Sequence, residues 1–283
     1  MLERPRNAGR RLAWLPLALA CTARPEVDAP RHAETRPRPS TAAPSATAAA
    51  TSLPSVVPDA GSAPATADAA PERRAYRVAA MGDSLTDARS HGGGYLRYLA
   101  ERCPESRFDN FGKGGQMVNQ MRRRFAREIL GRAEEARDAA APAGAATYTH
   151  VIVFGGVNDV YSDLTAGRTP AKIEADLATM YELARGAGVQ VVALTIAPWG
   201  GFTRYFNAKR QAATLEVNEW IRARRAAGEI AHVVDAYALL SCGDPQRLCA
   251  ALTEPFNDGI HFGKEGHRIL GAALHEQVFP DCR

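Results

Sequence analysis

The chain has 283 residues, of which 46% are hydrophobic and 23% charged, with a net charge of +4. It is long enough to bury a full core, and that modest charge, with no recognisable nucleic-acid module and no internal repeat, excludes a protein that works by coating a polyanion. The apolar residues are unevenly spread along the chain.

The N-terminus carries Arg4, Arg6, Arg10 and Arg11, then the apolar run Leu12 to Ala20, then Cys21. A basic start, a short apolar stretch and small residues predict an export signal over 1–21. The apolar run is too short to cross a bilayer as a mature helix. Ala18-Leu19-Ala20 suits an ordinary cleavage site. A small residue directly before Cys21 also resembles a lipobox, with Ala18 where Leu is usual, so Cys21 is a lipidation candidate. The predicted location is exported, periplasmic or at the cell surface. Membrane attachment is expected only through such an anchor.

Residues 22–75 are dominated by Ala, Pro, Thr and Ser, with few large aliphatic side chains. Such a segment buries too little surface to offset the entropy of ordering it, so it reads as a linker. The folded domain is predicted over 76–283.

From Tyr76 onward, apolar runs alternate with amphipathic stretches, the signature of βα units and a parallel sheet. The pattern predicts a strand over 76–81, a helix over 94–101 and a strand over 108–111. It continues with a helix over 117–137, a strand over 147–154 and a helix over 170–187, with Pro170 at its first turn and Gly188 after its end. A strand over 189–196, a helix over 207–226, a strand over 232–236 and a last helix over 264–277 complete it. Five strands, each followed by a helix, give an α/β fold: a three-layer αβα sandwich around a five-stranded parallel sheet. Arg122, Arg123, Arg124 and Arg127 fall on one predicted helix and read as a solvated face.

Cys103, Cys242, Cys249 and Cys282 form an even set. In an oxidising compartment they pair most simply as Cys242 with Cys249 and Cys103 with Cys282. Their spacing does not suit zinc.

Gly82-Asp83-Ser84-Leu85 ends the first strand, where open α/β sheets place their ligands. Glycines end the second strand, Gly156-Val157-Asn158-Asp159 follows the third, and Asp258-Gly259-Ile260-His261 precedes the last helix. Singly, each has an ordinary structural reading as a helix cap or a turn. In this order, the four segments resemble the four blocks of the SGNH, or GDSL, hydrolase family across 76–283. The resemblance implies the flavodoxin-like SGNH hydrolase fold. It also implies a catalytic triad of Ser84, His261 and Asp258, with oxyanion donors from the amides of Ser84 and Gly115 and the side chain of Asn158. The second block reads Gly-Gly-Gln-Met from Gly114 to Met117, where many members have Ser-Gly-Asp-Thr, so either glycine can supply the inward amide.

These residue types suit the chemistry. A serine hydroxyl attacks an acyl carbon only when a base takes its proton, and neutral histidine is such a base. A carboxylate orients the imidazole and stabilises its charged form. No metal or organic cofactor is implied, and no Gly-x-Ser-x-Gly elbow or phosphate loop is present. The implied activity is cleavage of carboxylic esters with short acyl groups such as acetyl, with O-acetylated polysaccharide as a candidate substrate. A lysophospholipase, thioesterase or acyltransferase shares the fold, and a catalytically silent, surface-tethered carbohydrate-binding lipoprotein is the reading from another class. The aromatic, glycine-rich segment Pro198 to Phe206 is either a wall of the site, through Trp199 and Phe202, or an anchor for the following helix. Tyr95 and Phe256 are further rim candidates.

Overall fold

The computed structural model describes residues 73–132 and 148–283. The predicted export signal with Cys21, the linker up to residue 72, and residues 133–137 of the helix expected over 117–137 lie outside the described residues.

The elements run β1 (Arg77–Gly82), α1 (Gly94–Arg102), β2 (Arg107–Gly112), α2 (Val118–Leu130), β3 (His150–Phe154), α3 (Val157–Tyr161), α4 (Asp163–Ala166) and α5 (Pro170–Gly186). They continue with β4 (Gln190–Leu194), α6 (Ala208–Ala226), β5 (His232–Val234), α7 (Ala236–Leu239), β6 (Ser241–Cys242), β7 (Asp244–Leu248) and α8 (Lys264–Val278). Five strands form one parallel sheet in the order β2-β1-β3-β4-β5. This is the expected three-layer architecture.

The sheet is covered on both faces, which is why β1 and β3 read as unbroken apolar runs rather than alternating ones. Side chains still alternate between the two cores. Ala79, Met81, Val151, Val153, Val191 and Ala193 join Phe125 of α2, Met180 of α5 and Val217 of α6. Val78, Ala80, Ile152, Phe154, Val192 and Leu194 join Leu99 of α1 and Leu270 and Leu274 of α8. Among the described residues, no helix is long and apolar enough to cross a membrane.

Local chemistry sets the boundaries. Thr169 caps α5 by accepting from the Lys172 amide, with Pro170 in the first turn, and Asn207 caps α6 by accepting from the Arg210 amide. The helix expected over 117–137 ends at Leu130 instead, because Gly131 takes a left-handed conformation. The strand expected over 189–196 is shorter because the Asn218 side chain takes the backbone of Ile196, accepting from its amide at 2.7 Å and donating to its carbonyl at 3.0 Å. Asp235 ends the fifth strand early by accepting from the Ala238 amide and starting α7.

Two features were not foreseen. The segment after β3 folds at once into the short helix α3, and the cysteine-bearing loop forms the antiparallel hairpin β6–β7. Cys242 and Cys249 are disulfide-bonded across that hairpin, and Cys103 at the end of α1 is bonded to Cys282. At the same end of the sheet, the Arg74 amide donates to Asp281 and the Arg283 amide donates to Arg74, joining the start of the described chain to its end.

Candidate active site

The carboxyl ends of β1, β2 and β3 converge on Ser84. Immediately after β1 the Asp83 carbonyl accepts from the amides of Thr86 and Asp87, and the Asp83 side chain accepts from the Leu85 amide at 2.9 Å. This tight turn presents Ser84 at the sheet edge, half-buried.

His261 reaches it from a loop 177 residues away, with Nε2 2.8 Å from Ser84 Oγ. Its Nδ1 lies 2.6 Å from Asp258 Oδ2, while the other carboxylate oxygen accepts from the amides of Ile260 and His261. Placing the imidazole proton on Nδ1, facing the carboxylate, leaves the Nε2 lone pair facing the serine hydroxyl. Partial burial works to raise the Asp258 carboxyl. The His261 amide and ring and the Ile260 amide outweigh it and hold the group below the usual carboxylate range.

The ambiguity between the two glycines is addressed by Asp87. Its Oδ2 accepts from the Gly114 amide at 2.9 Å, so that donor is taken. Gly115 follows with φ +73°, a left-handed conformation that favours glycine, and a side chain there would meet open space. Asn158 stands in the first turn of α3, nearly fully buried. One of its amide hydrogens goes to the Gln116 carbonyl at 2.9 Å, which orients the group and leaves the second hydrogen free for a ligand.

Gln116 is itself held by Arg124, whose Nε donates to its side-chain oxygen at 2.7 Å. The Arg124 guanidinium also donates to the carbonyls of Phe111 and Gly82 and pairs with Glu128. Arg124 is therefore buried under the ends of β1 and β2, which corrects the expectation of a solvated face for this residue, while Arg123 and Arg127 of the same cluster are exposed. Arg122, from the same cluster, pairs with Asp176.

Two rim candidates belong to the core instead. Trp199 is 1% exposed, and its indole donates to Thr214. Tyr95 is fully buried, and its hydroxyl bonds Thr86. Phe202 and Phe256 are half-buried. Phe256 lies beside the triad, its ring 5.8 Å from that of His261. Phe202 packs with Tyr205 and Tyr161. The Pro198–Phe206 segment thus does anchor into the core, and its glycines also support the site. The Gly200 amide donates to Gln246 of the hairpin, and Gly201 packs against Gly259 between Asp258 and His261.

Asp83, Asp87 and Arg124 are the residues that motif reading passed over as ordinary caps or surface charge. For Asp87 a signal existed: an acid three residues beyond the serine, and a glycine-bearing segment after the second strand whose amide at Gly114 donates to it. Asp83 is fully buried with Oδ2 unpartnered. Burial pushes its carboxyl up to about 7.

The model of the GDSL-like lipase/acylhydrolase family matches residues 80–269. No curated protein matches the chain. Among solved structures, it is similar to the lipase/acylhydrolase from Enterococcus faecalis, at 20% identity over 74% of this chain and 97% of that one, with a TM-score of 0.55. A GDSL-like lipase from Bacteroides thetaiotaomicron is 22% identical over 71% of this chain and 86% of its own, also at 0.55. A catalytic mutant of an acetylxylan esterase from Geobacillus stearothermophilus is 18% identical over 74% of this chain and 96% of its own, at 0.54. At these identities the structural likeness speaks for the fold.

Proposed function

Because the chain belongs to the GDSL-like lipase/acylhydrolase family and is an ester-bond hydrolase, we propose that Ser84 is its nucleophile, His261 its base and Asp258 the carboxylate that orients the base. The observation that carries this reading is the unbroken relay from Asp258 Oδ2 through both nitrogens of His261 to Ser84 Oγ, at 2.6 and 2.8 Å.

In this mechanism Ser84 Oγ attacks the ester carbonyl carbon while its proton passes to His261 Nε2. The carbonyl π pair moves onto oxygen, and the tetrahedral oxyanion accepts hydrogen bonds from the amides of Ser84 and Gly115 and the side chain of Asn158. Collapse breaks the bond to the alcohol, which leaves with the proton from His261. Water then repeats the sequence on the acyl-serine, with His261 as base, and releases the acid.

We take the acyl group to be short, with acetyl the leading candidate. The acetylxylan esterase among the structural neighbours is in keeping with that choice. With export over 1–21 and a linker over 22–75, the natural substrate would be an O-acetylated polysaccharide outside the cytoplasm. Cys21 is the proposed point of lipid attachment.

Purified protein assayed on p-nitrophenyl esters from acetate to long acyl tests this directly. Preference for acetate, abolished in Ser84→Ala, is expected; hydrolysis no faster than the Ser84→Ala background sinks the reading. Metabolic labelling with a radioactive fatty acid, compared with Cys21→Ala, tests the anchor, and an unlabelled wild type rejects it.

A further inference from the structure

The two helices that flank the triad, α1 and α8, both begin on glycine. Gly93 and Gly263 occupy their N-cap positions, and neither helix start has a side-chain cap. First-turn amides lack partners inside a helix, and the aligned peptide dipoles place partial positive charge there. Gly93, Gly94 and Gly263 form part of the wall of a single cavity of about 480 Å³.

The charged side chains around it carry one sign. Arg97 and Lys264 line the cavity together with the ring of His91, and none of the lining residues is Asp or Glu. Neither Arg97 nor Lys264 has an ion-pair partner among the described residues. Glu265, in the first turn of α8, is held by Arg268 through contacts of 2.6 and 2.8 Å and is not part of the wall.

A second observation points to a ligand. His267 forms part of the wall at 5% exposure, yet its Nδ1 has no hydrogen-bond partner. Burial pushes this imidazole down to about 4, so it is neutral near pH 7, and Nδ1 offers a lone pair or an N–H according to tautomer. A polar atom left buried and unbonded is costly, and a hydroxyl can satisfy either form.

The cavity adjoins the triad. Phe256 lines it while packing on the rings of both His261 and His91. Gly92, also in the wall, lies so close to the Ser84 carbonyl oxygen that a Cβ would overlap it.

From this we infer that the cavity is an anion subsite of the active site, holding the carboxylate or phosphate of a hydroxylated substrate whose ester lies at Ser84. Arg97, Lys264 and the two helix starts take the charge, and His267 takes a hydroxyl. Its use in catalysis rests on the esterase reading above; its occupancy does not.

Calorimetric titration of the full chain with glucuronate, glucose 6-phosphate and glucose separates the two, with p-nitrophenyl acetate hydrolysis followed in parallel. One or both anions should bind about tenfold or more tightly than glucose, and the tighter of the two identifies carboxylate or phosphate as the preferred group. Arg97→Gln and Lys264→Gln should each weaken anion binding several-fold while leaving p-nitrophenyl acetate turnover unchanged. Glucose binding as well as the anions, no binding of either anion, or an anion preference that survives the double substitution overturns the subsite. Anion binding by a wild type that does not cleave p-nitrophenyl acetate supports the subsite and refutes the esterase reading.

Discussion

Gly201 and Gly259 meet backbone to backbone: a Cβ on Gly259 would overlap the Gly201 carbonyl carbon, and one on Gly201 would lie 2.8 Å from the Gly259 Cα. Gly259 also holds φ +81°. The turn that carries Asp258 and His261 is therefore seated on the segment following β4 with no side chain between them. Gly259→Ala must push that turn away or strain it, and a misplacement near 1 Å can cost about a hundredfold in rate. Steady-state kinetics on p-nitrophenyl acetate should show kcat lower by about 10- to 100-fold with far-ultraviolet circular dichroism unchanged. A variant with wild-type kcat would show that the contact does not position His261.

Removing Ser84 or His261 should lower turnover by about a thousandfold or more. Asn158→Ala should lose about a hundred- to a thousandfold, mostly in kcat, because its contact is made with charge that develops only in the transition state. If Asn158→Ala raised KM with kcat intact, the side chain would be a binding group and not an oxyanion donor.

Asp83 gives stability a distinctive pH dependence. An unfolded aspartate releases its proton near pH 4, whereas burial holds the folded carboxyl up to about 7. Between those values the folded chain keeps a proton that the unfolded chain has lost, so this group makes stability fall as pH rises through the window. Asp83→Asn keeps an acceptor for the Leu85 amide and removes the titration. Urea unfolding should find the variant close to wild type at pH 4 and more stable at pH 8, by about 3–4 kcal/mol. Parallel stability curves for the two proteins would place the folded Asp83 titration near its unfolded value.

The two disulfides differ in the chain they close, with sequence separations of 179 for Cys103–Cys282 and 7 for Cys242–Cys249. Cross-linking restricts the unfolded chain more when the loop is long. Replacing Cys103 and Cys282 by Ser should cost up to about 5 kcal/mol, and replacing Cys242 and Cys249 about 2 kcal/mol. The hairpin pair should also slow turnover a few-fold, since the Gln246 carbonyl holds Gly200 beside the Gly201–Gly259 contact. Denaturation melts and ester kinetics on the two double variants check both orders; equal losses of stability would contradict the loop-length argument.

The five strands and the loops bearing Ser84 and His261 were legible because each signal is local: an apolar run, a break, a polar residue at the break. What escaped depends on partners distant in the chain. Trp199 lies in a glycine-rich stretch that reads as surface, yet Thr214 offers its indole a buried acceptor. Tyr95 is internal because Thr86 meets its hydroxyl. Arg124 looks like one charge among several, and it is buried because the carbonyls of Gly82 and Phe111 and the side chains of Gln116 and Glu128 converge on it. The cavity near His267 escaped for the same reason, its wall being drawn from two helix starts and the loops ahead of both.

The pairing of Arg74 with the Asp281–Arg283 tail brings both ends of the folded domain to one place. That junction sits at the entry end of β1, and Ser84 lies just past its exit, roughly 20 Å away along six residues of strand. A load applied through residue 73 enters beside Cys282, which is covalently bonded to the end of α1. Pull on the leading end of the domain is therefore shared with its trailing end, and the strand that presents the serine is spared from bearing it alone.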